Sequence, residues 1–363
     1  MLRRLIPALP RPTHLPSCRP VIYKPFLGSS TVPFSTTQPQ FQPTSKTKHP
    51  KMASESNTNF KLENLFNVKG KGSKPPSYPT TKLTTNPTTV ALITGGGSGI
   101  GLMATQALAT NGAKVYITGR TEEKLTQVAS LYSPNIPGEI IPLVSDITSK
   151  ESISKLVSDL SSRESHLDIL INNAGISSST DDTSPNSAGE LQKTLFDDAT
   201  PFSEWEDVYR TNVMQLYFTT TAFLPLLQKA AERERGWSGT VLNITSISGI
   251  VKVSQHHFAY NASKAAAIHL TKMLAHEVAE SGLRIRVNNI APGVFPSEMT
   301  AGESDEAQKS SLAKSKYEGK VPADRPGKDE DMASAVLFAV TNQYLNGQTV
   351  VVDGGYVLRA GTV

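Results

Sequence analysis

The sequence predicts a doubly wound α/β domain, in which a parallel sheet of seven strands carries helices on both faces. Short apolar strands alternate with helical stretches from residue 90 onward, and this order favours a parallel sheet. The strands are nearly continuous runs of Val, Ile and Leu, as is typical of strands buried on both faces. A glycine-rich segment joins the first strand to the first helix. No break in composition divides the region, so we expect one domain over residues 90–363.

The individual elements follow from short local patterns. The strands are predicted at 90–94, 114–119, 139–146, 167–175, 239–246, 285–293 and 348–355. The helices are predicted at 102–112, 122–132, 153–163, 205–235, 258–282 and 330–340, the first ending at a glycine as helices often do. A long loop is expected at 177–202, and a helical lid region is expected between the sixth strand and the last helix.

Charge separates a front segment from this domain. The 363 residues carry a formal net charge of +4. Residues 1–93 hold 13 Lys and Arg against two acids, whereas residues 94–363 hold 23 against 30. The positive charge therefore belongs to the front segment. A nucleic-acid-binding domain is not expected, because such a domain carries its positive charge on the folded surface.

The front segment is predicted to be unpacked. Residues 1–89 contain 14 of the 24 prolines, and proline disrupts regular structure. We interpret 1–58 as a disordered basic extension and 59–89 as a lead-in with a Pro/Thr-rich insertion. Eight Lys and Arg precede the first acid, Glu55, which is typical of a mitochondrial presequence. A plain disordered tail and a true start at Met52, with a cytoplasmic protein, are the alternatives.

Several classes of protein are excluded by composition. Cys18 is the only cysteine, so no internal disulfide framework, cysteine metal site or paired redox motif is expected. No uninterrupted apolar run reaches the 18 or more residues that a membrane helix needs. We therefore predict neither a membrane span nor a metal site.

The segment TGGGSGIG at 94–101 lies between the first strand and the first helix. Glycines at such a place let the backbone turn tightly and approach a pyrophosphate, and the helix N-terminus offers free N–H groups. We predict a dinucleotide site here; a purely structural turn is the alternative. The residues predicted to bind the cofactor are Gly95, Ser98, Gly99, Ile100 and Gly101.

Arg120 follows the second predicted strand. NAD-preferring sites of this kind carry an acid at that place, where it binds the ribose 2′-hydroxyl. A guanidinium pairs instead with a 2′-phosphate. Arg120 therefore indicates NADP(H) as the cofactor, unless it is a solvated surface arginine.

Tyr260 and Lys264 lie four residues apart in a strongly helical stretch, which puts both side chains on one face. The spacing alone is weak evidence, since Tyr78 and Lys82 share it in the Pro-rich segment. An ammonium near a phenol favours the phenolate. Lowering a tyrosine pKa from about 10 to near 7 needs roughly 4 kcal/mol. We expect Lys264 and a positively charged nicotinamide to supply much of this free energy.

Together, these residues resemble the short-chain dehydrogenase/reductase family, a single-domain Rossmann branch. The resemblance covers roughly residues 59–358, apart from 71–89. The motifs stand in family order: TGGGSGIG at 94–101, Asp146, NNAG at 172–175, Asn212, Ser246, YNASK at 260–264 and Pro292-Gly293.

The resemblance implies a role for each matched residue. Tyr260 is the implied general acid in carbonyl reduction and base in alcohol oxidation, and Lys264 lowers its pKa and binds the nicotinamide ribose. Ser246 is implied to hydrogen-bond the substrate oxygen, and Asn212 to hold a water that links Lys264 to solvent. The other implied cofactor contacts are Asp146 and Ile147 at the adenine, Asn173 beside the adenosine ribose, and Phe295 and Ser297 near the carboxamide and the diphosphate.

Two departures from the family pattern lie near the predicted site. Ser246 and Tyr260 are 14 residues apart, one more than is commonest in the family. The 177–202 loop is longer than usual, and it either overhangs the substrate pocket or elaborates the surface. We expect His256 and His257, in an extended loop, to point apart and be exposed; a substrate contact is the alternative.

The predicted function is NADP(H)-dependent hydride transfer between a nicotinamide and a small carbonyl or secondary alcohol, in the direction of ketone reduction. The segments at 293–310 and 324–336 resemble β-ketoacyl reductases of the rhamnolipid-associated type, so a 3-oxoacyl compound is the leading substrate. Other ketones, sugars, steroids and polyketide intermediates remain open. The alternative functions are a non-catalytic cofactor-binding protein and a non-redox dehydratase or epimerase. The resemblance also implies a homo-oligomer, a tetramer or dimer, assembled through 205–235, 258–282 and 330–355.

Overall fold

The computed structural model describes residues 60–61, 89–197, 200–233 and 235–362. The predicted basic extension over 1–58 and most of the lead-in and insertion over 59–89 lie outside the described residues.

Seven parallel strands form one sheet, as predicted. In spatial order they run β3-β2-β1-β4-β5-β6-β7, and every neighbouring pair is parallel. The order changes direction between β1 and β4, and the carboxyl ends of strands at such a switch point form the ligand crevice of doubly wound folds. The strands are β1 Val90–Thr94, β2 Lys114–Gly119, β3 Glu139–Val144, β4 Ile169–Asn172, β5 Gly239–Ile244, β6 Ile285–Pro292 and β7 Thr349–Val352.

Helices connect the strands. They are α1 Gly99–Thr110, α2 Glu122–Tyr132, α3 Lys150–Arg163, α4 Ala188–Gln192, α5 Phe202–Tyr209, α6 Gln215–Arg233, α7 Phe258–Glu280, α8 Glu298–Ala301, α9 Asp329–Thr341 and α10 Tyr356–Ala360. Among the described residues, none of the helices is long and apolar enough to cross a membrane.

Alternate residues of β1 show that helices cover both faces of the sheet. Ala91 and Ile93 belong to one buried cluster, which includes Leu102 of α1 and Val336 of α9. Val90 and Leu92 belong to a second cluster on the other face, with side chains of α3 and α6. Because successive strand residues point to opposite faces, this division confirms the prediction that helices cover both faces of the sheet.

Three predicted elements differ from the structure. The helix expected over 205–235 is interrupted by a π-helical segment, Arg210–Met214, between α5 and α6. The expected helical lid contains only the four-residue α8 and a short 3₁₀ turn, Lys314–Lys316; Gly302, at φ +89°, ends α8. The 177–202 loop contains α4 and a π-helical turn, Lys193–Asp197. The polar sequences of the lid and the loop have no apolar stripe with which to pack a longer helix against the sheet.

Candidate active site

The glycine-rich segment 94–101 curves over the carboxyl end of β1, where the end of β4 braces it. Asn173 donates its side-chain amide to the carbonyl oxygens of Thr94 and Gly95, both at 3.0 Å. The Thr94 hydroxyl accepts the backbone N–H groups of Asn173 and Ala174 at 3.0 and 3.1 Å. The NNAG motif therefore holds the glycine loop in shape, a role for Asn173 that sequence reasoning missed.

The shape of this loop fits a dinucleotide. Gly99 has φ +50°, and a Cβ there would lie 2.8 Å from Cβ of Ser297. At Gly101 a Cβ would lie 2.0 Å from the carbonyl oxygen of Gly95. Ser98 caps α1 without a side-chain cap hydrogen bond, and the first N–H groups of a helix have no partner within it. The cradle thus offers close backbone approach and N–H donors to a pyrophosphate.

The predicted adenine-end residues converge at the neighbouring strand ends. Asp146 follows β3, and its carboxylate accepts from the backbone N–H and the hydroxyl of Thr148 at 3.0 and 2.7 Å. These two bonds, with a smaller attraction from Arg120, hold the pKa of Asp146 below its usual range. Arg120 is exposed at the end of β2, and Ile147 is buried. An exposed cation therefore lies beside the place expected for the adenosine ribose.

The predicted catalytic residues come together across two elements. Ser246 follows β5, while Tyr260 and Lys264 lie on the first turns of α7. The Ser246 hydroxyl acts on the Tyr260 phenol and lowers its pKa. The Lys264 ammonium lies 5.5 Å from the centre of the Tyr260 ring and donates to the carbonyl oxygen of Ile244 at 3.3 Å. We call Ser246, Tyr260 and Lys264 the reaction centre.

Asn212 lies in the π-helical segment and anchors it to the strand-end turn. Its Oδ1 accepts the backbone N–H of Ile176 and its Nδ2 donates to the carbonyl of Ile176, both at 2.9 Å. Nδ2 also donates to the hydroxyl of Ser263 at 3.0 Å. A Cβ at Gly175 would lie 3.0 Å from Oδ1 of Asn212 and 3.3 Å from Nζ of Lys264. Gly175 thus leaves a narrow space between these two polar groups, and π-helical segments occur frequently at functional sites.

Burial sets the protonation of the reaction centre. It raises the pKa of the Tyr260 phenol, and the hydrogen bond with Ser246 opposes this. Burial also lowers the pKa of Lys264 to about 8. That Lys264, together with a bound nicotinamide, lowers the phenol pKa stays a prediction, because the protein groups taken by themselves leave that pKa raised by burial. These groups favour the neutral phenol, which is the proton donor that carbonyl reduction needs.

The loop before Tyr260 is folded back, not extended as predicted. Gln255 and His256 have φ +54° and +66°, so the backbone turns back at two successive left-handed residues before α7. His257 contacts Tyr260 edge to face, with ring centres 6.5 Å apart.

Both histidines of this loop contact residues 177–183, which we call the flap. His256 Nδ1 lies 3.1 Å from the Thr183 hydroxyl, and His257 Nδ1 lies 3.1 Å from the carbonyl oxygen of Ser178. The backbone N–H of Asp181 donates to the carbonyl of His256 at 2.8 Å. The imidazoles therefore attach the flap to the loop that leads to Tyr260; His256 is exposed as predicted, whereas His257 is half-buried.

The predicted contacts after β6 lie on the opposite side of the cradle. Phe295 is buried, with its ring against Gly327. Ser297 caps α8, and its backbone N–H donates to the hydroxyl of Thr300 at 3.0 Å. Ser297 contacts the glycine loop at Gly99. Two predicted diphosphate contacts, one from the first motif of the sequence and one from the last, therefore lie next to each other.

An ion pair over the glycine loop was missed by sequence reasoning. Lys124 donates to Oε1 of Glu298 at 2.6 Å, and the Ser98 hydroxyl donates to Oε2 of Glu298 at 3.4 Å. The sequence gives one signal for this ion pair, which is the position of Lys124 four residues after Arg120 in a charged first turn.

Within the described part of the chain, no group of three or more His, Cys, Asp or Glu side chains is arranged to hold a metal ion.

The fold and the site define a class of protein. A cradle for a dinucleotide lies at the switch point of a parallel sheet, and the Ser246–Tyr260–Lys264 group lies on the neighbouring β5 and α7. This combination is that of a nicotinamide-dependent oxidoreductase.

Comparison with known proteins gives the family. The family model for short chain dehydrogenase matches residues 89–308, and the chain belongs to this family. It is therefore an oxidoreductase that transfers hydride between a nicotinamide cofactor and a carbonyl or secondary alcohol.

Individual relatives match nearly their whole length. A short-chain dehydrogenase/reductase of Diaporthe leptostromiformis is 38% identical over 273 residues, which cover 73% of this chain and 90% of that protein. The rhamnolipids biosynthesis 3-oxoacyl-[acyl-carrier-protein] reductase of Pseudomonas aeruginosa is 35% identical, with 74% and 96% covered. The structure of the Pseudomonas aeruginosa RhlG/NADP active-site complex is similar, with a TM-score of 0.63, 31% identity, and 76% and 98% covered.

Proposed function

We propose that the protein is an NADP(H)-dependent ketone reductase in which Tyr260 donates the proton. The observation that carries this is the convergence of three side chains: the Lys264 ammonium lies 5.5 Å from the centre of the Tyr260 ring, and the Ser246 hydroxyl acts on the Tyr260 phenol. The hydroxyl groups of Ser246 and Tyr260 together provide a binding site for a carbonyl oxygen, and the neutral phenol can protonate that oxygen. General acid catalysis by such a positioned group contributes about 10²- to 10⁴-fold to the rate.

The chain's own residues handle the proton and the orientation of the substrate. When bound, the nicotinamide supplies the hydride that adds to the carbonyl carbon. Ser246 holds the carbonyl oxygen, and the Tyr260 phenol gives that oxygen its proton, so the product is the secondary alcohol. Lys264 then stabilises the phenolate. The space at Gly175, between Asn212 and Lys264, suits a water that returns a proton from solvent.

The preference for NADP(H) over NAD(H) rests on Arg120. It is exposed at the end of β2 and close enough to Asp146 to lower the pKa of that carboxyl. A guanidinium there pairs with a 2′-phosphate, and the Pseudomonas aeruginosa relative is named as a complex with NADP. Steady-state kinetics with both cofactors test this. A kcat/KM that favours NADH would contradict it.

For the substrate we propose a 3-oxoacyl compound. Support comes from the relatives named as 3-oxoacyl-[acyl-carrier-protein] reductases of Pseudomonas aeruginosa and Thermotoga maritima. The test is NADPH oxidation by protein starting at Met52, with 3-oxoacyl thioesters, diketones and quinones. Turnover confined to quinones or diketones would contradict the substrate class. Substrate conversion without cofactor consumption would instead indicate a dehydratase or epimerase.

We also propose a homo-oligomer assembled through α6, α7 and the β7 edge. Tyr217 of α6, Met273 of α7 and Val351 of β7 are apolar yet exposed, and β7 is an edge strand. Exposed apolar patches and open sheet edges are typical of surfaces that another chain covers. Light scattering coupled to gel filtration tests this, and a monomer at micromolar concentration would contradict it.

A mitochondrial destination is proposed from the basic, acid-poor N-terminal composition alone. A fluorescent fusion of residues 1–60 tests it. Diffuse fluorescence in the cytosol would contradict it and favour a cytoplasmic protein that starts at Met52.

A further inference from the structure

The carboxylate of Glu298 lies against the glycine loop, where the proposed function places the phosphates of the cofactor. It accepts hydrogen bonds from Lys124 at 2.6 Å, from Ser304 at 2.7 Å and from Ser98 at 3.4 Å. The bond from Lys124 contributes most to the lowered pKa of Glu298, so the group is charged at neutral pH. A negative charge next to a phosphate cradle opposes phosphate binding unless a cation accompanies it.

Lys124 is that cation, and it is close to the end of β2. It lies in the first turn of α2, four residues after Arg120. The next residue, Leu125, lies 3.3 Å from a Cβ placed at Gly97 and 3.7 Å from one at Gly119. This turn therefore packs against the glycine loop and the strand end together. The ammonium reaches over the loop to Ser98 through Glu298, across 174 residues of sequence.

Lys124 and Glu298 can separate and contact other groups. The side chains of Lys124 and Glu298 are 43% and 35% exposed. Ion pairs at such exposure contribute little to stability, so separating them costs little. Ser304 continues to hold Glu298 at Oε1 if Lys124 leaves. A dianionic phosphate attracts the ammonium more strongly than one carboxylate does.

We propose that Lys124 is a second cation, with Arg120, for the 2′-phosphate of NADP(H), and that Glu298 holds its ammonium over the glycine loop until the phosphate replaces the carboxylate. This inference rests on the proposed use of NADP(H). NAD(H) has no 2′-phosphate and leaves the Lys124–Glu298 pair in place. The pair therefore contributes to the discrimination between the two cofactors, and Glu298 moderates the affinity for the phosphorylated one.

Calorimetric titration with 2′,5′-ADP and 5′-AMP isolates the 2′-phosphate without nicotinamide or turnover. The wild-type protein is expected to bind 2′,5′-ADP more tightly. Lys124→Ala should weaken 2′,5′-ADP binding about tenfold, as expected for the loss of one charge-assisted contact, and leave 5′-AMP nearly unchanged. Lys124→Arg should restore most of the affinity. Glu298→Gln should tighten 2′,5′-ADP binding by about three- to tenfold, because it removes the competing charge.

Lys155→Ala is the matched control, since it removes one exposed positive charge from α3 and should alter neither titration. The decisive quantity is the ratio of the affinities for 2′,5′-ADP and 5′-AMP. If this ratio stays at the wild-type value in both Lys124→Ala and Glu298→Gln, the inference is overturned and the proposed function is left intact. A wild-type protein that does not prefer 2′,5′-ADP overturns the NADP(H) assignment and this inference with it.

Discussion

The Ser246 hydroxyl acts on the Tyr260 phenol, although Tyr260 lies in the first turn of a long helix and Ser246 lies just after a strand. The sheet brings the end of β5 under the first turns of α7, and the loop between them folds back to close the distance. This pairing brings two hydroxyl groups together at the carboxyl end of β5.

Replacing Tyr260 by Phe should abolish nearly all turnover, by about 10²- to 10⁴-fold, because the proton donor is lost. NADPH binding should persist, since the glycine cradle is untouched. Kinetics and fluorescence titration of NADPH check the two parts. Tyr217→Phe, an exposed tyrosine on α6, should remain fully active. Substantial turnover by Tyr260→Phe would refute the assignment of the proton donor.

Lys264 should make stability depend on pH. Its pKa is about 8 in the folded protein and 10.5 when unfolded, so the unfolded state binds more protons between these values. The free energy of unfolding should therefore rise from pH 8 to 10.5, by about 3 kcal/mol from this group. Below pH 8 the cost of the buried charge is fully present.

The comparison that isolates this effect is Lys264→Met, which keeps the length of the side chain and removes the charge. Urea titrations of both proteins at several pH values measure it. The difference in unfolding free energy between variant and wild type should shrink as the pH increases above 8. A difference independent of pH would show that the ammonium is not desolvated.

Gly175→Ala should lower kcat about tenfold, with little change in NADPH affinity. The added methyl group would lie 3.0 Å from Asn212 Oδ1 and 3.3 Å from Lys264 Nζ, so it fills the space proposed for the proton-relaying water and displaces the ammonium. Gly189→Ala is the control, because a Cβ there meets nothing within 4 Å. Equal kcat values for the two variants would argue against a relay at this position.

Removing the contact between the flap and the loop that leads to Tyr260 should weaken ketone binding more than cofactor binding. His257→Phe preserves a ring against Tyr260 but loses the contact between Nδ1 and the Ser178 carbonyl. One such hydrogen bond is worth about 1 kcal/mol, so we expect about a fivefold higher KM for the ketone. His269→Phe, on the exposed side of α7, serves as control. An unchanged KM in both variants would mean that the flap does not line the substrate site.

Much of the fold was predictable because its signals are local. The apolar runs at 90–94 and 114–119 became β1 and β2 with the predicted bounds, since a buried parallel strand has to be apolar along its whole length. The helix at 122–132 was also predicted with the correct bounds. The interruption at Arg210–Met214 was not predictable, because it depends on contacts between Asn212 and Ile176 that no helical periodicity encodes.

The candidate site was predictable as a set of residues, but not in its electrostatics. Motif order identified Ser246, Tyr260 and Lys264 together. The rise that burial causes in the pKa of Tyr260 was not predictable, because desolvation depends on how closely α7 and the strand ends pack around the phenol. Sequence spacing gives the distance between two helical side chains but contains no measure of burial.

By itself, the sequence determined the doubly wound fold, the glycine loop, the arginine after β2 and the residues of the reaction centre, because each depends on residue types in a recognisable order along the chain. Only the tertiary structure decided that Asn173 braces the glycine loop, that the flap is attached through His256 and His257, and that Lys124 meets Glu298 over the cradle. These contacts join segments that are distant in the chain. Their distances and burial exist only once the sheet has brought the strand ends to one edge.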